Sequence, residues 1–552
     1  MPNKNILLLE PAYNNKYPPI GLMKIAAYHR QKNDNVVFVK GEDKAVEDKT
    51  WDRIFITTLF TFEFENIKRT INYAINLADG QTNKIFVGGI AASLMHSHFL
   101  KQSDWRGIRF IKGLLNKSPS ESLELDDFEE EFYADDLSGQ SIENLVPDYT
   151  ILDQIDYQYP VHDAYFLYGT RGCIRKCKFC GVPKLEGDMF DMPDISDMVH
   201  EIIDQHGEKK DLIMMDNNVV ASAKFNDIIS QAIDLGFEKG ATITRNGQTL
   251  KRRVDFNQGV DARILVKSDN YLKSIGKLCI DPLRIAFDHL GVKKHYDKSV
   301  RMASEFGIEK ISNYMLYNFM DTPEDLFARM NLNVQLKEEL GIDIFSFPMR
   351  YQPTNLPHRR HVGPKWNAYY LRSMQIVLQA THGIVSGSPQ FFRHAFGHNV
   401  DEFFEILDMP HRFIFYRSWY ESGGGKAELE EYKKIRAKLS DSEADELRNY
   451  LSDNLYPVLN DDGKVTKPAM DINTFNKDIE KYKNSKIREI LTFYKKMRSK
   501  ENKQLSVMVK ENKEIEEVKR AFTEETLVED AALVDSLMSP ILDPDQPINA
   551  TA

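Results

Sequence analysis

The stretch "AYFLYGTRGCIRKCKFCG", residues 164–181, joins a short apolar run to a turn that carries three cysteines. The run "AYFLYGT" is typical of a buried strand, and the helical pattern "SDMVHEIIDQH" follows at 196–206. The cysteine turn therefore lies at the carboxyl end of a strand that precedes a helix. Parallel α/β folds place their chemistry at that end of their strands.

Five more strand patterns follow, and amphipathic helical patterns separate them. Together the six strand candidates are "AYFLYGT" (164–170), "DLIMMD" (211–216), "VDFNQGVDARIL" (254–265), "LRIAFDHL" (283–290), "NYMLYNFM" (313–320) and "DIFSFPM" (343–349). A closed barrel of eight such units needs roughly 250 residues. Six units predict a partial (β/α)6 TIM-like barrel over residues 161–355.

Residues 1–118 show a separate alternation of short apolar strands and amphipathic helices. The strand candidates are "NILLLE" (5–10), "NVVFVKG" (35–41), "RIFITTLF" (53–60) and "KIFVGG" (84–89). Such alternation implies a parallel sheet that helices cover on both faces. We therefore predict an N-terminal Rossmann-like domain and an α/β class for the whole chain.

The remaining segments carry weaker strand signals. Residues 119–160 are predicted to be an acidic linker, since 121–136 hold nine acidic residues and no basic one. This segment either is solvated or covers an electropositive site. We predict a helical C-terminal region over residues 356–500, with a long charged helix that starts at 477. For residues 501–552 we predict a charged helix followed by a frayed tail.

The composition of the 552-residue chain limits the class of protein. Four cysteines are too few for a secreted disulfide framework, so we expect a cytoplasmic protein with reduced thiols. No apolar run reaches the roughly 18 residues of a membrane span. The formal net charge of −11 argues against a broad nucleic-acid surface.

The cysteines Cys173, Cys177 and Cys180 can hold one metal centre. Structural zinc needs a fourth ligand, from Cys279 or a distant histidine, and would make this a zinc-stapled interaction or nucleic-acid-binding module without catalysis. A [4Fe–4S] cluster held by three thiolates instead keeps one iron open to a small molecule. The flanking basic residues Arg171, Arg175, Lys176 and Lys178 suit an anionic cluster. Cys279, in "IGKLCI", is expected to be a buried apolar residue rather than a ligand.

The segment "CIRKCKFC" (173–180) resembles the signature of the radical S-adenosylmethionine (radical SAM) superfamily, Cys-x3-Cys-x-aromatic-Cys, with Phe179 as the aromatic residue. The resemblance implies that Cys173, Cys177 and Cys180 bind a [4Fe–4S] cluster. It also implies that S-adenosylmethionine binds the open iron and is cleaved reductively to a 5′-deoxyadenosyl radical. An electron donor such as flavodoxin or ferredoxin is then required.

Polar residues at the predicted strand ends are candidates for contacts with S-adenosylmethionine. The superfamily's Gly-Gly-Glu stretch is missing, so the assignment of Asp216, Asn217 and Asn218 rests on position alone. The segment "LYNFMDTPEDL" (316–326) resembles the superfamily's fifth-strand segment, which implies that Asn318 lies near the ribose or adenine. The candidates are Asp216, Asn217, Asn218, Gln258, Asp261, Arg263, Asp288, Asn318 and Arg350. The basic segment "NLPHRRHVGPKW" (355–366) is either an anion clamp or an ordinary loop. No residue is assigned a catalytic role.

The N-terminal segment "YPPIGLMKIAAYHR" (17–30) is similar to the opening of the cobalamin-binding subclass of radical SAM enzymes. Thr57, Gly88 and Gly89 fall where that domain keeps small residues beside the cofactor. The Asp-x-His-x-x-Gly segment that supplies an axial histidine elsewhere is absent. The domain therefore either binds cobalamin or has kept the shape without the ligand.

The resemblance implies a radical SAM enzyme. The acidic net charge and the lack of a recognisable RNA-binding segment favour a small molecule or a peptide as its substrate. If cobalamin binds, methyl transfer to an unactivated carbon is the expected reaction. If cobalamin does not bind, a radical rearrangement or ring formation is expected instead.

Overall fold

The computed structural model describes residues 3–115, 141–385, 388–497 and 499–510. The acidic segment 121–136 and the predicted tail lie outside these ranges. The chain divides into two compact units. The first unit comprises Met1–Ala286, Lys298–Ile311 and Pro353–Arg359, and the second comprises Phe287–Asp297, Ser312–Gln352 and Arg360–Ala552.

The first unit opens with a five-stranded parallel sheet. Its strands are β1 (Asn5–Glu10), β2 (Asn35–Lys40), β3 (Arg53–Thr58), β4 (Ile85–Gly89) and β5 (Arg109–Phe110), and its helices are α1 (Ile20–Gln31), α2 (Phe64–Leu77), α3 (Ile90–Leu94) and α4 (His96–Leu100). The order β2-β1-β3-β4-β5 is that of a doubly wound flavodoxin-like sheet. The prediction of a Rossmann-like parallel sheet is confirmed. Helix α2 packs through the face that carries Ile67, Ile71 and Ala74, all fully buried.

The same unit contains a second parallel sheet. Its region includes strands β6 (Ala164–Leu167), β7 (Thr170–Arg171), β8 (Phe190–Asp191), β9 (Asp211–Met214), β10 (Thr242–Arg245), β11 (Gln248–Lys251), β12 (Val254–Phe256) and β13 (Leu283–Arg284), and helices α5 (Val182–Leu185), α6 (Ile195–His206), α7 (Phe225–Asp234), α8 (Ala262–Leu265) and α9 (Asp269–Ile275). Strands β12, β9 and β6 pair in that order, all parallel. Parallel bridges Val254–Ile280 and Val260–Ile285 continue the pairing beyond β12.

Two details of this region differ from the sequence prediction. The pattern 254–265 forms a strand only over Val254–Phe256, because the chain turns at Gly259 (φ +85°) and Asp261 then caps α8 by accepting the Arg263 N–H. The antiparallel hairpin β10–β11 was not predicted. Its signal is the pair Asn246-Gly247, both with positive φ, which suits a tight hairpin turn.

The elements that complete the chain are α10 (Lys293–Glu305), β14 (Lys310–Tyr317), α11 (Pro323–Leu340), β15 (Asp343–Arg350), α12 (Ala368–Ala380), α13 (Pro389–Phe396), α14 (Val400–Asp408), α15 (His411–Phe415), α16 (Arg417–Ser422), α17 (Lys426–Arg436), α18 (Asp441–Leu455), β16 (Val458–Leu459), β17 (Val465–Lys467), α19 (Ile472–Glu480), α20 (Ser485–Leu491) and α21 (Ser499–Lys510). In the second unit β14 and β15 are neighbours in one sheet. Helix α11 begins at a capping box formed by Thr322 and Asp325.

The α/β class, with parallel sheets and a helical C-terminal region, is confirmed by these elements. A TIM-like barrel is not shown. The single long helix predicted from residue 477 is wrong, because the segment forms the separate helices α19, α20 and α21. Asn484 starts a new helix there, since its side chain accepts the N–H groups of Lys486 and Ile487. Within the described ranges, none of the helices has the length and apolarity that a membrane crossing requires.

Candidate metal centre at the cysteine turn

The three clustered cysteines lie in the loop that follows β6, and strands β7 and β8 pair across the base of this loop. The side chains of Cys173, Cys177 and Cys180 are half-buried. The Arg175 N–H donates to the Cys173 Sγ at 3.3 Å, and the Val182 N–H donates to the Cys180 Sγ at 3.4 Å. These two hydrogen bonds hold the Cys173 and Cys180 sulfurs close to the backbone of the turn.

The start of the cysteine turn is held in one conformation at Gly172. Its φ is +71°, and a Cβ placed there would lie 2.2 Å from the Asp188 carbonyl oxygen. The Gly172 N–H donates to the Glu186 Oε2 at 2.7 Å. Only glycine satisfies both the backbone angle and the close approach. Gly172, the residue before Cys173, is therefore held against Glu186 and Asp188 on the opposite side of the loop.

Arg171 is buried and does not serve as an exposed basic flank. Its Nε donates to the Glu143 Oε1 at 3.1 Å, and its Nη1 donates to the Glu186 Oε1 at 3.0 Å. Its guanidinium carbon lies 3.5 Å from the centre of the Tyr168 ring. Burial alone would lower the pKa of Arg171, but Tyr168 and the two carboxylates outweigh it and raise that pKa. Arg171 thus anchors the turn from within the protein.

Two further basic residues of the turn are paired with carboxylates of the chain. The Arg175 Nε donates to the Asp261 Oδ2 at 2.8 Å, and Lys176 forms an exposed ion pair with Asp188. Asp261 also accepts from Arg263, whose Nε lies 2.7 Å from its Oδ1. Burial acts to raise the pKa of Asp261, but the bonds from Arg263 and Arg175 lower it overall. The predicted residues Asp261 and Arg263 therefore lie beside the cysteine turn.

The polar residues after β9 face the same turn. Asp216 is almost fully buried, and its two oxygens accept from the Gly169 N–H at 3.0 Å and the Thr170 hydroxyl at 2.6 Å. Burial raises the pKa of Asp216 to about 6, although these hydrogen bonds act against the increase. The Asn217 Nδ2 donates to the Glu186 Oε2 at 2.9 Å. Asp216 and Asn217 therefore position the backbone that leads into the turn.

The end of β12 joins this group through one hydrogen bond. Asn218 accepts the Asp261 N–H at 3.3 Å, which links the ends of β9 and β12. Gln258 is exposed at the same strand end. The structure thus brings Asp216, Asn217, Asn218, Asp261 and Arg263 together around the cysteine turn.

In the second unit, Asn318 and Arg350 hold backbone groups. Asn318 has a positive φ of +69°, and its Nδ2 donates to the carbonyls of Tyr351 and His361, each at 3.1 Å. Its Oδ1 accepts the Gly363 N–H at 2.7 Å. Arg350 donates from Nη2 to the same His361 carbonyl at 2.9 Å. Both side chains therefore join the ends of β14 and β15 to the segment 361–363.

Asp288, the remaining predicted residue of that unit, is half-buried. Its carbonyl oxygen accepts from the Arg329 Nη1 at 3.2 Å. Arg329 is fully buried and also pairs with Asp321, 3.0 Å away. The backbone of Asp288 is thus hydrogen-bonded to Arg329 of α11.

At the carboxyl edge of the first sheet, Thr57 pairs with Gly88 across β3 and β4. Gly89 has a positive φ (+99°), and a Cβ there would lie 2.5 Å from the Thr58 carbonyl oxygen, so the position requires glycine. The exposed side chain of Ile90 follows directly. This edge presents small residues and one apolar side chain, a surface against which a flat cofactor can lie.

The carboxyl ends of β1 and β2 are filled by a buried network. The Lys40 Nζ donates to the Glu10 Oε2 at 2.8 Å and to the Asn15 Oδ1 at 2.7 Å. Tyr159 donates its hydroxyl hydrogen to Glu10, and the Lys40 Nζ lies 4.5 Å from the centre of the Tyr157 ring. Burial raises the pKa of Glu10 despite these partners. Of the first sheet's carboxyl edge, the β3–β4 side is therefore the more open to a ligand.

The basic segment after β15 contributes one aromatic contact in the first unit. The Arg359 guanidinium carbon lies 3.6 Å from the centre of the Phe62 ring, and Phe62 stacks on Phe60. Burial lowers the pKa of Arg359. The segment remains open to either of its two predicted roles.

The donor set of the cysteine turn is three thiols, one fewer than the four ligands of a structural zinc site. Three thiolates can bind three irons of a [4Fe–4S] cluster and leave the fourth iron open, so the donor set suits such a cluster. Among the described residues, no group of three or more His, Cys, Asp or Glu side chains is arranged to hold one metal ion. Burial raises the pKa of the Cys279 thiol to about 12, which does not suit a ligand.

Two residues of this site, Glu143 and Glu186, were not predicted. Glu186 accepts from Arg171, Gly172 and Asn217. Glu143 binds Arg171 from a segment 28 residues earlier in the chain. The signal for Glu186 is that it is the first carboxylate after the basic turn. Nothing in the sequence marks Glu143, since its role depends on a contact between distant segments.

No family model and no curated protein matches this chain. Solved structures do match it. One is the radical S-adenosylmethionine methyltransferase TsrM from Kitasatospora setae with cobalamin and a [4Fe–4S] cluster bound, at 14% identity, with 64% of this chain and 77% of that chain covered and a TM-score of 0.44. The same enzyme with tryptophan and an S-adenosylmethionine analogue matches at 13% identity, 71% and 83% coverage and a TM-score of 0.44.

The cobalamin-dependent S-adenosylmethionine radical enzyme OxsB matches at 13% identity, with 97% of this chain and 83% of that chain covered and a TM-score of 0.42. Of these three structures, OxsB is named as a cobalamin-dependent enzyme, and the first TsrM structure holds both cobalamin and a [4Fe–4S] cluster. Their TM-scores lie below 0.5, which is too low to establish a shared fold or activity.

Proposed function

We propose that this chain is a radical SAM enzyme that binds a [4Fe–4S] cluster through Cys173, Cys177 and Cys180. The observation that carries the proposal is the cysteine turn itself. Its three thiols follow a parallel strand, and backbone N–H groups of Arg175 and Val182 donate to two of the sulfurs. A cluster bound there, with S-adenosylmethionine at the open iron, supplies the one-electron cleavage that starts radical chemistry on a substrate.

The chain's own residues hold this site in place. Glu186 fixes Arg171, Gly172 and Asn217, so the first cysteine follows a rigid backbone. The pair Arg175–Asp261 holds the segment between the first two cysteines. Such fixed surroundings keep ligands in place and limit the access of water, which would otherwise compete at the open iron.

We extend the proposal to the other predictions made from the sequence. Residues 161–355 form a partial (β/α)6 barrel, 1–118 a cobalamin-binding-like domain, 119–160 a linker, 356–500 a helical extension and 501–552 its charged end. Of the proposed cofactor contacts, Asp261 pairs with Arg175 of the cysteine turn, and Arg263 pairs with Asp261. Thr57, Gly88 and Gly89 line the β3–β4 edge against which cobalamin would lie.

The proposed reaction is methyl transfer if cobalamin binds, and a radical rearrangement or ring formation if it does not. The substrate is a small molecule or a peptide. A flavodoxin or ferredoxin delivers the electron, in a compartment with reduced thiols such as the cytoplasm.

The test is anaerobic reconstitution with iron and sulfide. The wild-type chain is expected to turn brown and to bind about four irons and four sulfides. Incubation with dithionite and S-adenosylmethionine should then release 5′-deoxyadenosine, and repeating it with added cobalamin tests the subclass. Cys177→Ala should abolish cluster binding and cleavage.

The matched control is Cys279→Ala, which removes a thiol that the proposal leaves outside the site and should keep both activities. A colourless wild-type protein that binds zinc and no sulfide would support the non-catalytic alternative.

A further inference from the structure

Four buried charges connect the first helix of the chain to the start of the cysteine turn. Lys24 belongs to α1, Glu143 precedes β6, and Arg171 lies two residues before Cys173. The Lys24 Nζ donates to the Glu143 Oε1 at 3.2 Å and to the Glu143 carbonyl oxygen at 2.5 Å. Arg171 binds the same Oε1 of Glu143 and, on its other side, Glu186. The two cations and two carboxylates balance in formal charge.

Because these four charges are buried, removing one of them costs free energy. Side-chain exposure is 7% for Lys24, 3% for Glu143 and 10% for Arg171. Burial would raise the pKa of Glu143, but the charges of Lys24 and Arg171 outweigh it and lower that pKa. Removing one member of a buried ion-pair group leaves the others uncompensated, which is more disruptive than losing an exposed pair.

Glu143 also joins the two ends of this group. Glu186 lies in the same loop as the cysteine turn and binds Arg171 there. Glu143 lies outside that loop and binds Lys24 of α1, a helix that packs on the first sheet. The backbone position of Gly172 therefore depends on a residue 29 positions earlier in the chain and on a helix of another sheet.

We propose that Glu143 is a positioning residue that ties the start of the cysteine turn to helix α1. The inference rests on the proposed function, because the property it controls is that of the bound cluster. Glu143 holds Arg171, Arg171 and Glu186 hold Gly172, and Gly172 sets the place of the first ligand, Cys173. The charge of Glu143 also contributes to the field at the cluster.

The test compares Glu143→Gln and Lys24→Met in the reconstituted full-length protein. Either variant loosens the turn, so iron release to a chelator should become faster in both. Glu143→Gln weakens the charge-assisted hydrogen bonds to Lys24 and Arg171, so we expect its release to be at least about tenfold faster. Lys24→Met leaves Glu143 bound to Arg171 and should have the smaller effect.

The midpoint potential of the cluster should move in opposite directions in these two variants. Glu143→Gln removes a negative charge and favours the reduced cluster, so its potential should be more positive than that of the wild type. Lys24→Met removes a positive charge and should make the potential more negative. Opposite potential shifts with faster release in both variants are a result that general destabilisation does not produce.

The matched control is Asp34→Asn. Asp34 is a buried carboxylate of the same unit that accepts from His29 and from the Lys4 N–H at the amino end of β2, away from the cysteine turn. Its substitution should leave iron release and potential at wild-type values. If Glu143→Gln does not fold, Lys24→Met alone still decides through its negative shift and faster release. Wild-type values in both properties would overturn the inference, whereas a wild-type chain that binds no iron would overturn the proposed function instead.

Discussion

The Arg175 Nε lies 2.8 Å from the Asp261 Oδ2, so a residue between the first two cysteines is paired with the residue that caps α8. The two positions are 86 residues apart in the chain. Asp261 also holds Arg263, which places both arginines around one carboxylate. This arrangement connects the cysteine turn to the third strand of the second sheet.

Asp261→Asn is expected to loosen the cysteine turn. The asparagine keeps the size of the side chain but loses the charge that holds Arg175 and Arg263. Because Arg175 is partly exposed, the pair contributes only about 1 kcal/mol, so iron release to a chelator should be about fivefold faster. Asp188→Asn is the control, since its pair with Lys176 is exposed and on the same turn. Equal release rates in the two variants would contradict this prediction.

Gly172→Ala is expected to prevent cluster binding. The alanine adds the cost of a left-handed backbone, about 1–2 kcal/mol, and a Cβ that collides with the Asp188 carbonyl. Gly187→Ala is the control, because Gly187 also has a positive φ (+80°) but no atom of the described residues lies within 4 Å of the methyl group that alanine would add. We expect iron content after reconstitution to fall to background only in Gly172→Ala. Retention of iron there would show that the turn can rearrange.

The pKa of Asp216 predicts a dependence of stability on pH. Burial raises this pKa from 3.8 to about 6, so between these values the folded chain holds a proton that the unfolded chain has lost. The free energy of unfolding should therefore fall as the pH rises from about 4 to about 6, by on the order of 3 kcal/mol from this group. Above pH 6 its contribution should be constant.

Asp216→Asn removes the titrating group, and the difference between the wild-type and variant denaturation curves isolates its contribution. The difference should grow in favour of the variant across this pH range. A difference that is independent of pH would show that Asp216 keeps an ordinary pKa.

Asp408→Asn is expected to destabilise the helical C-terminal region. Asp408 is buried and accepts from the Tyr370 hydroxyl at 2.8 Å, the Arg436 Nη2 at 2.6 Å and the Arg448 Nε at 2.9 Å. Breaking a buried ion-pair group costs about 3–5 kcal/mol. Asp445→Asn removes only an exposed partner of Arg448 and should have little effect. Thermal unfolding of both variants would check this, and similar melting temperatures would contradict it.

Strand and helix positions in the first sheet could be predicted from the sequence because their signal is local. The run "NILLLE" coincides with β1, and the period of Ile67, Ile71 and Ala74 marks the buried face of α2. The prediction was wrong where a local signal was ambiguous. The apolar residues after 477 suit one long helix, but Asn484 caps a new helix because its side chain competes for backbone N–H groups.

In the candidate site, too, only the local features could be predicted from the sequence. The spacing of Cys173, Cys177 and Cys180 is a local property and could be read directly from the sequence. The pairing of Arg171 with Glu143 and of Arg175 with Asp261 could not, because long charged side chains reach whichever partner the fold brings near. Arg171 looked like part of a basic flank and is instead a buried anchor.

The sequence by itself determined the cysteine trio and the alternation of strands and helices, since both depend on spacing along the chain. Only the tertiary structure decided which charges face the cysteine turn and which hold it in place. The physical reason is burial. A carboxylate such as Glu143 gains its role only when folding removes it from water beside Lys24 and Arg171.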